Sequence, residues 1–182
     1  MEEQKLESAK DIVEALSKIG QAITSDLYLE DILNLIVTVT AEVMHSKICS
    51  IMLLDPKTKE LTMKATQSMS KDYINKNPLK LGEGIAGKVA MENRPIAVYD
   101  IIGSDEYKSK DIAKKENLCS MLCIPLHVKG NVIGVLNLYT TKPHHFNDYE
   151  INIMKTVADA AAIVIENSRL MIETNLIKEE LE

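Results

Sequence analysis

Tryptophan is absent from this chain of 182 residues, and phenylalanine occurs once. With aromatics at only 4%, aliphatic side chains and nine methionines must fill the core. Cysteine is scarce and odd in number, at three. No signal-peptide pattern precedes the cysteines, because charged side chains crowd residues 1–10. Free thiols in a reducing compartment, the cytoplasm, are therefore expected. The most apolar run near the C-terminus, Val157 to Ile165, is broken by Asp159 and too short to cross a bilayer, so no membrane partner is expected. Positive charge is short as well. A net charge of -6 argues against nucleic acid as a direct partner, since phosphate binding needs clustered Lys and Arg.

What is present suits one domain burying roughly two thirds of its unfolded surface. Its centre is Ser120 to Tyr139, two apolar, β-branched-rich runs joined at Lys129-Gly130, which predicts a hairpin. A tight turn sets Val128 opposite Asn131, Ile124 opposite Val135 and Leu122 opposite Asn137. Leu122, Ile124, Leu126, Ile133, Val135 and Asn137 then share one face, with Met121, Cys123, Pro125, Gly134, Leu136 and Leu138 on the other. Both faces are apolar, so a layer is expected on each side.

The flanking segments supply those layers. Ile12, Leu16, Ile19 and Ile23 make one helical stripe within residues 1–24. Ser25-Asp26 breaks it, and a second helix is predicted from Tyr28 to His45. Ile48 to Asp55 and Glu60 to Gln67 form another hairpin around a turn at Asp55 to Thr58. Ser68 to Leu79 is polar and irregular. Leu81 to Pro95 is a glycine-punctuated loop entering a short helix, followed by an extended Pro95 to Tyr99. Ile101 to Asn117 reads as a short surface helix or cover.

The last helix is expected to open at Asn147, with Glu150 completing a capping box and Phe146 and Ile151 a hydrophobic staple. It is apolar on two sides: Ile151, Met154, Ala158, Ala161 and Ile165 on one, Ile153, Val157, Ala160 and Val164 on the other. Two partners are therefore expected, the sheet and a second subunit. Residues 171–182 read as a continuation of this helix toward an output domain.

The loop Leu81-Gly82-Glu83-Gly84-Ile85-Ala86-Gly87-Lys88-Val89 with Asn93-Arg94-Pro95 and Val98-Tyr99-Asp100 resembles the signature of the GAF domain. So do Ser120 to Leu126 followed by Gly130 and Ile133 to Leu138, and Phe146 with the helix carrying Ala160 to Asn167. The likeness covers about residues 25 to 170 in the family's order. It implies an α+β fold, GAF-like and related to PAS domains, with an antiparallel sheet of five or six strands. Long N- and C-terminal helices would lie on one face, and short helices and loops would roof a pocket on the other. It further implies a non-enzymatic sensory module of a signalling protein, a homodimer through its terminal helices, with residues 1–24 as a dimerisation helix. Carried over by position, the family pocket falls on Ser50, Thr66, Gln67, Ile85, Ala86, Tyr107 and Asn137. These carry no charge, so an anionic ligand would depend on backbone N–H groups at Gly84 to Gly87. Asn137, on an apolar face, either bonds a neighbouring backbone group or meets a small-molecule ligand. No cofactor is assigned.

Other chemistry weighs less. GxGxxG is met by Gly82, Gly84 and Gly87 but without a βαβ unit around it, and Val89 breaks the Walker pattern. Cys119 and Cys123, four apart on a strand, lie about 13 Å apart, too far for one zinc or a disulfide. A Cys49–Cys123 contact is open. Free methionine-(R)-sulfoxide reductases within the family carry catalytic cysteines in the roof, whereas Lys88 to Leu118 contains none. His144 and His145 read as solvated loop residues, so no metal site is expected. Cyclic-nucleotide-binding members show an Asn-Lys…Phe-x-x-x-Asp-Glu pattern, met here only by Lys142, Phe146 and Glu150. A Lys142–Glu150 bridge would be structural.

Overall fold

The computed structural model describes the backbone of residues 2–25 and 28–181, and the side chains of these except 2–8, 175–176 and 178–181. The expected break at Asp26 falls outside that range. Helix α1 spans Glu2–Ile23 and α2 Leu29–Val43. Strands β1 (Ile48–Leu54) and β2 (Glu60–Thr66) follow, then α3 (Lys71–Ile74), β3 (Leu79–Lys80), α4 (Gly84–Glu92), β4 (Ile96–Val98) and α5 (Lys110–Lys115). The hairpin β5 (Ser120–Val128) and β6 (Asn131–Thr140) leads to α6 (Asp148–Leu181). The strands form one antiparallel sheet in the order β3-β2-β1-β6-β5-β4. Among the described residues no helix is long and apolar enough to cross a membrane.

The sheet separates two apolar clusters. On one face Ile19 and Ala22 of α1, Ile32, Leu33, Ile36 and Val37 of α2, and Met154, Ala158, Ala161 and Ile165 of α6 pack on Cys49, Ile51, Leu122, Ile124, Leu136 and Leu138. On the other, Tyr73, Ile85, Ala86, Val89, Ile101, Tyr107 and Ala113 cover Ile48, Met52, Leu61, Met121, Cys123, Val135 and Tyr139. Each such large side chain removed from water contributes roughly 1.5–3 kcal/mol. The sandwich is held from both sides.

The hairpin turn is where the sequence places it, with Lys129 and Gly130 at positive φ and Val128 opposite Asn131. Beyond it the expected register is wrong by one residue. His127 faces Val132 and Leu126 faces Gly134, so Ile133 is an extra residue in a bulge. From there Ile124 faces Leu136, Cys123 faces Asn137 and Leu122 faces Leu138. Because side chains alternate, the slip moves Val135 and Asn137 to the roof side with Met121 and Cys123, while Leu136 and Leu138 join Leu122 and Ile124 under the helices. Cys49 and Cys123 consequently sit on opposite faces, which closes the open question of their contact.

The start of α6 follows its sequence signature. Asn147 N donates to Glu150 Oε2 at 2.8 Å, and Glu150 N donates to Asn147 Oδ1 at 3.0 Å. Glu150 takes His144 Nε2 at 2.7 Å rather than Lys142, and His145 stacks on Tyr99 at 4.2 Å between ring centroids. Both histidines are solvated loop residues, as expected, and also strap the β6–α6 connection. The second apolar side of α6 meets α1 within the chain: Ile153 and Val157 face Ile12, Ala15, Leu16 and Ile19.

Candidate functional site

The roof is built by glycine and turn chemistry. Gly82 and Gly84 hold positive φ, which lets the chain double back from β3 into α4. Gly87 lies so close to the Lys80 carbonyl and Gly82 that any Cβ would collide with backbone. Asn93, also at positive φ, ends α4. Asp100 Oδ1 accepts from Ile102 N and Gly103 N at 3.0 and 3.1 Å and turns the chain over the sheet. Exposed ion pairs, Lys88 with Glu106 and Lys115 with Asp72, link the roof segments, and solvent screening keeps such pairs weak.

Beneath the roof is a small cavity lined by Met52, Lys76, Leu79, Gly84, Ile85, Ala86, Tyr107, Lys108, Ser109, Met121, Asn137 and Tyr139. Its free space is ≈ 10 Å³, about one water. Four of the seven residues expected at the pocket, Ile85, Ala86, Tyr107 and Asn137, meet here. Ser50 stands one step behind: Asn137 Nδ2 donates to Ser50 Oγ at 3.4 Å, and Ser50 Oγ bonds Tyr73 OH at 2.8 Å. Thr66 and Gln67 do not join them. Thr66 Oγ1 donates to Cys49 O, while Gln67 accepts from Cys49 N and donates to Lys47 O, so both brace the start of β1.

Two features of the cavity were not foreseen. The lining is charged, by Lys76 and Lys108, where the matched positions carry no charge. The Lys76 ammonium also lies against three tyrosine rings, 4.6 Å from the centroid of Tyr73, 5.6 Å from Tyr139 and 5.7 Å from Tyr107. Lys76 sits in the polar stretch after β2, where the sequence offers only a loop. Burial pushes its pKa down to about 8, against the pull of the ring faces, which favour the cation. Burial pushes Tyr73 and Tyr139 up, and Tyr107 up to about 12, so all three stay neutral phenols. Asn137 Oδ1 is buried with no hydrogen-bond partner, while the buried Tyr107 hydroxyl has that of Tyr139 beside it.

No group of three or more His, Cys, Asp or Glu with metal-binding geometry occurs among the described residues. The three cysteines are free. Burial pushes the Cys49 and Cys123 thiols well above their ordinary range, so neither is a ready nucleophile.

A six-stranded antiparallel sheet with long helices on one face and short helices and turns roofing a small cavity on the other defines an α+β domain built around one covered site. The family model for the GAF domain matches residues 27–166, and the chain belongs to that family. Among solved structures, the GAF domain of a phosphoenolpyruvate-protein phosphotransferase from Coxiella burnetii is similar at 28% identity and a TM-score of 0.81, covering 90% of this chain and 97% of that one. Free methionine-R-sulfoxide reductase from Neisseria meningitidis, solved with its substrate, shares the fold at 19% identity and a TM-score of 0.75, over 88% and 91% of the two chains. Among curated proteins, the methyl sulfide methyltransferase-associated sensor of Methanosarcina acetivorans is 27% identical over 87% of this chain. The phosphoenolpyruvate-dependent phosphotransferase system protein of Escherichia coli is 25% identical over 85%. The chain spans 16% and 21% of those two relatives.

Proposed function

We propose that this chain is a non-enzymatic regulatory module that binds a small molecule under its roof and pairs with a second copy of itself through α6, controlling an output domain. The observation that carries this reading is the double use of the β5–β6 hairpin. Met121, Asn137 and Tyr139 form the cavity floor, while Leu122, Ile124, Leu136 and Leu138 on the reverse face seat α6. A ligand that shifts the floor therefore has a short packed route to the helix. Relatives with sensor and phosphotransferase names support the class of role. The free thiols support a reducing, cytoplasmic setting, and the net charge of -6 supports a role without nucleic acid.

A second reading is favoured by the small free volume: Lys76 and the tyrosines fill the cavity, and the chain serves as a ligand-free dimerisation module. Thermal-shift screening separates the two. A ligand at 100 times its dissociation constant adds about 2.7 kcal/mol, whereas a pocket filled by its own side chains gives no shift with any metabolite. Sulfoxide reduction, the activity in the name of the Neisseria relative, is tested by turnover of free methionine sulfoxide with a thiol reductant. No turnover is expected, and activity abolished by Cys119→Ser would overturn the non-enzymatic reading.

A further inference from the structure

The cavity carries a charge opposite to that of the chain. Around it stand Lys76 and Lys108 and no acidic side chain, in a protein of net charge -6. Among the described residues no carboxylate pairs with Lys76, whose ammonium rests on ring faces only. The first turn of α4 also reaches the cavity: Gly84, Ile85 and Ala86 line it, and no side chain caps their N–H groups. Independently, Asn137 (1% exposed) presents an unpartnered Oδ1. An acceptor left alone in the interior calls for a donor.

We propose, building on the sensory reading above, that this cavity is a receptor site for a small carboxylate carrying a hydroxyl or amino donor, with Lys76 as its counterion. The carboxylate lies toward Lys76 and the N–H groups of α4, and the donor toward Asn137 Oδ1 and Tyr107 OH. A ligand cation would suit three tyrosine faces alone, but Lys76 already holds them and Lys108 adds repulsion. A phosphate dianion would suit the lysines and brings one P–OH donor, but its double charge costs more to strip of water than a carboxylate's single one. With room for about one water, the site is closed by its own lysine. Entry of a ligand moves the Lys76 side chain off the rings, and Lys76 is both occluder and counterion.

Tyrosine fluorescence reads this directly, because the chain has no tryptophan and three of its six tyrosines ring the ammonium. The probes are lactate, propionate (no donor), lactamide (no charge), choline and inorganic phosphate, titrated against the full chain. Lactate is expected to saturate, with propionate about tenfold or more weaker and lactamide, choline and phosphate weaker still. Lys76→Met should weaken lactate by about tenfold or more while Lys76→Arg retains most of it, and Asn137→Leu should bring lactate down to propionate. Far-UV circular dichroism of each variant guards against loss of fold. Lactamide, choline or phosphate binding as tightly as lactate would overturn the carboxylate assignment and leave the sensory reading standing. So would undiminished lactate binding by folded Lys76→Met. No saturable response to any probe would overturn the carboxylate assignment, and the sensory reading falls with it only if the thermal-shift screen of other metabolites is silent as well.

Discussion

Two buried thiols and one half-buried lysine give the chain opposing responses to alkali. An unfolded cysteine releases its proton near its ordinary value of 9.0, whereas Cys49 and Cys123 hold theirs in the folded chain. The native state then binds more protons than the unfolded one, so their stabilisation is present below pH 9 and lost as pH rises. Lys76 works the other way. Its folded pKa of about 8 lies below the ordinary 10.5, so the unfolded state binds more protons between those values and stability rises with pH. The neighbouring Tyr73, Tyr107 and Tyr139 hold their protons throughout this range. From pH 8 to 9.5 the urea midpoint of Lys76→Met is expected to fall relative to wild type, and that of a Cys49→Ala/Cys123→Ala double variant to rise. Parallel profiles for all three proteins would count against these assignments. A second comparison isolates the buried amide. Tyr73→Phe removes the hydroxyl that Ser50 bonds and should cost about 1–2 kcal/mol in urea unfolding. Asn137→Leu removes an orphaned oxygen together with one long bond and should cost less, or stabilise.

At the scale of elements, the bulge at Ile133 decides which side chains face the cavity, and the sequence carries little sign of it. The Lys129-Gly130 turn, the capping box at Asn147 and the stripes of α1 and α2 are local signals, each complete within a few residues, and each is where the sequence puts it. The bulge depends on how β6 meets β1 as well as β5, a non-local matter. Gly134 is the residue that pins it. Gly134 lies opposite both Leu53 and Leu126, and a Cβ there would collide with the Met52 carbonyl and press Leu53 at 3.1 Å and Leu126 at 3.3 Å. Gly134→Ala is expected to cost about 1–3 kcal/mol or more, because the obstacle is backbone and cannot rotate away. The check is a chemical denaturation midpoint beside that of Gly130→Ala, whose added Cβ meets nothing within 4 Å and whose cost is confined to its positive φ. Equal losses would show that strain, not crowding, sets the requirement. The cavity was legible only where family position carried it, at Ile85, Ala86, Tyr107 and Asn137. Lys76 was not legible, because a lysine in a polar loop looks solvated until the fold lays three tyrosines against it.

For the molecule as a whole, the question is what covers the outer side of α6. Its inner sides are taken by the sheet and by α1, so the two-sided pattern of Ile151 to Ile165 is largely accounted for within one chain. Beyond that pattern Ile163, Leu170 and Ile177 recur every seven residues, and each is more than half exposed, at 54%, 51% and 57%. A seven-residue apolar repeat is the period at which one helix meets another along a shallow crossing. A second copy of the same helix satisfies it with the like residues of its twin. Wild-type protein at high micromolar concentration is therefore expected to run as a dimer by size-exclusion chromatography with light scattering. Leu170→Asp should convert it to monomer. Since Leu170 takes no part in the buried clusters, that variant should keep the far-UV spectrum of the parent and lose the concentration dependence of its thermal midpoint. Ala161→Asp, which places a carboxylate where no solvent reaches, should instead unfold the chain. A wild type that is strictly monomeric at those concentrations would remove the pairing through α6, and with it the part of the proposal that rests on two copies.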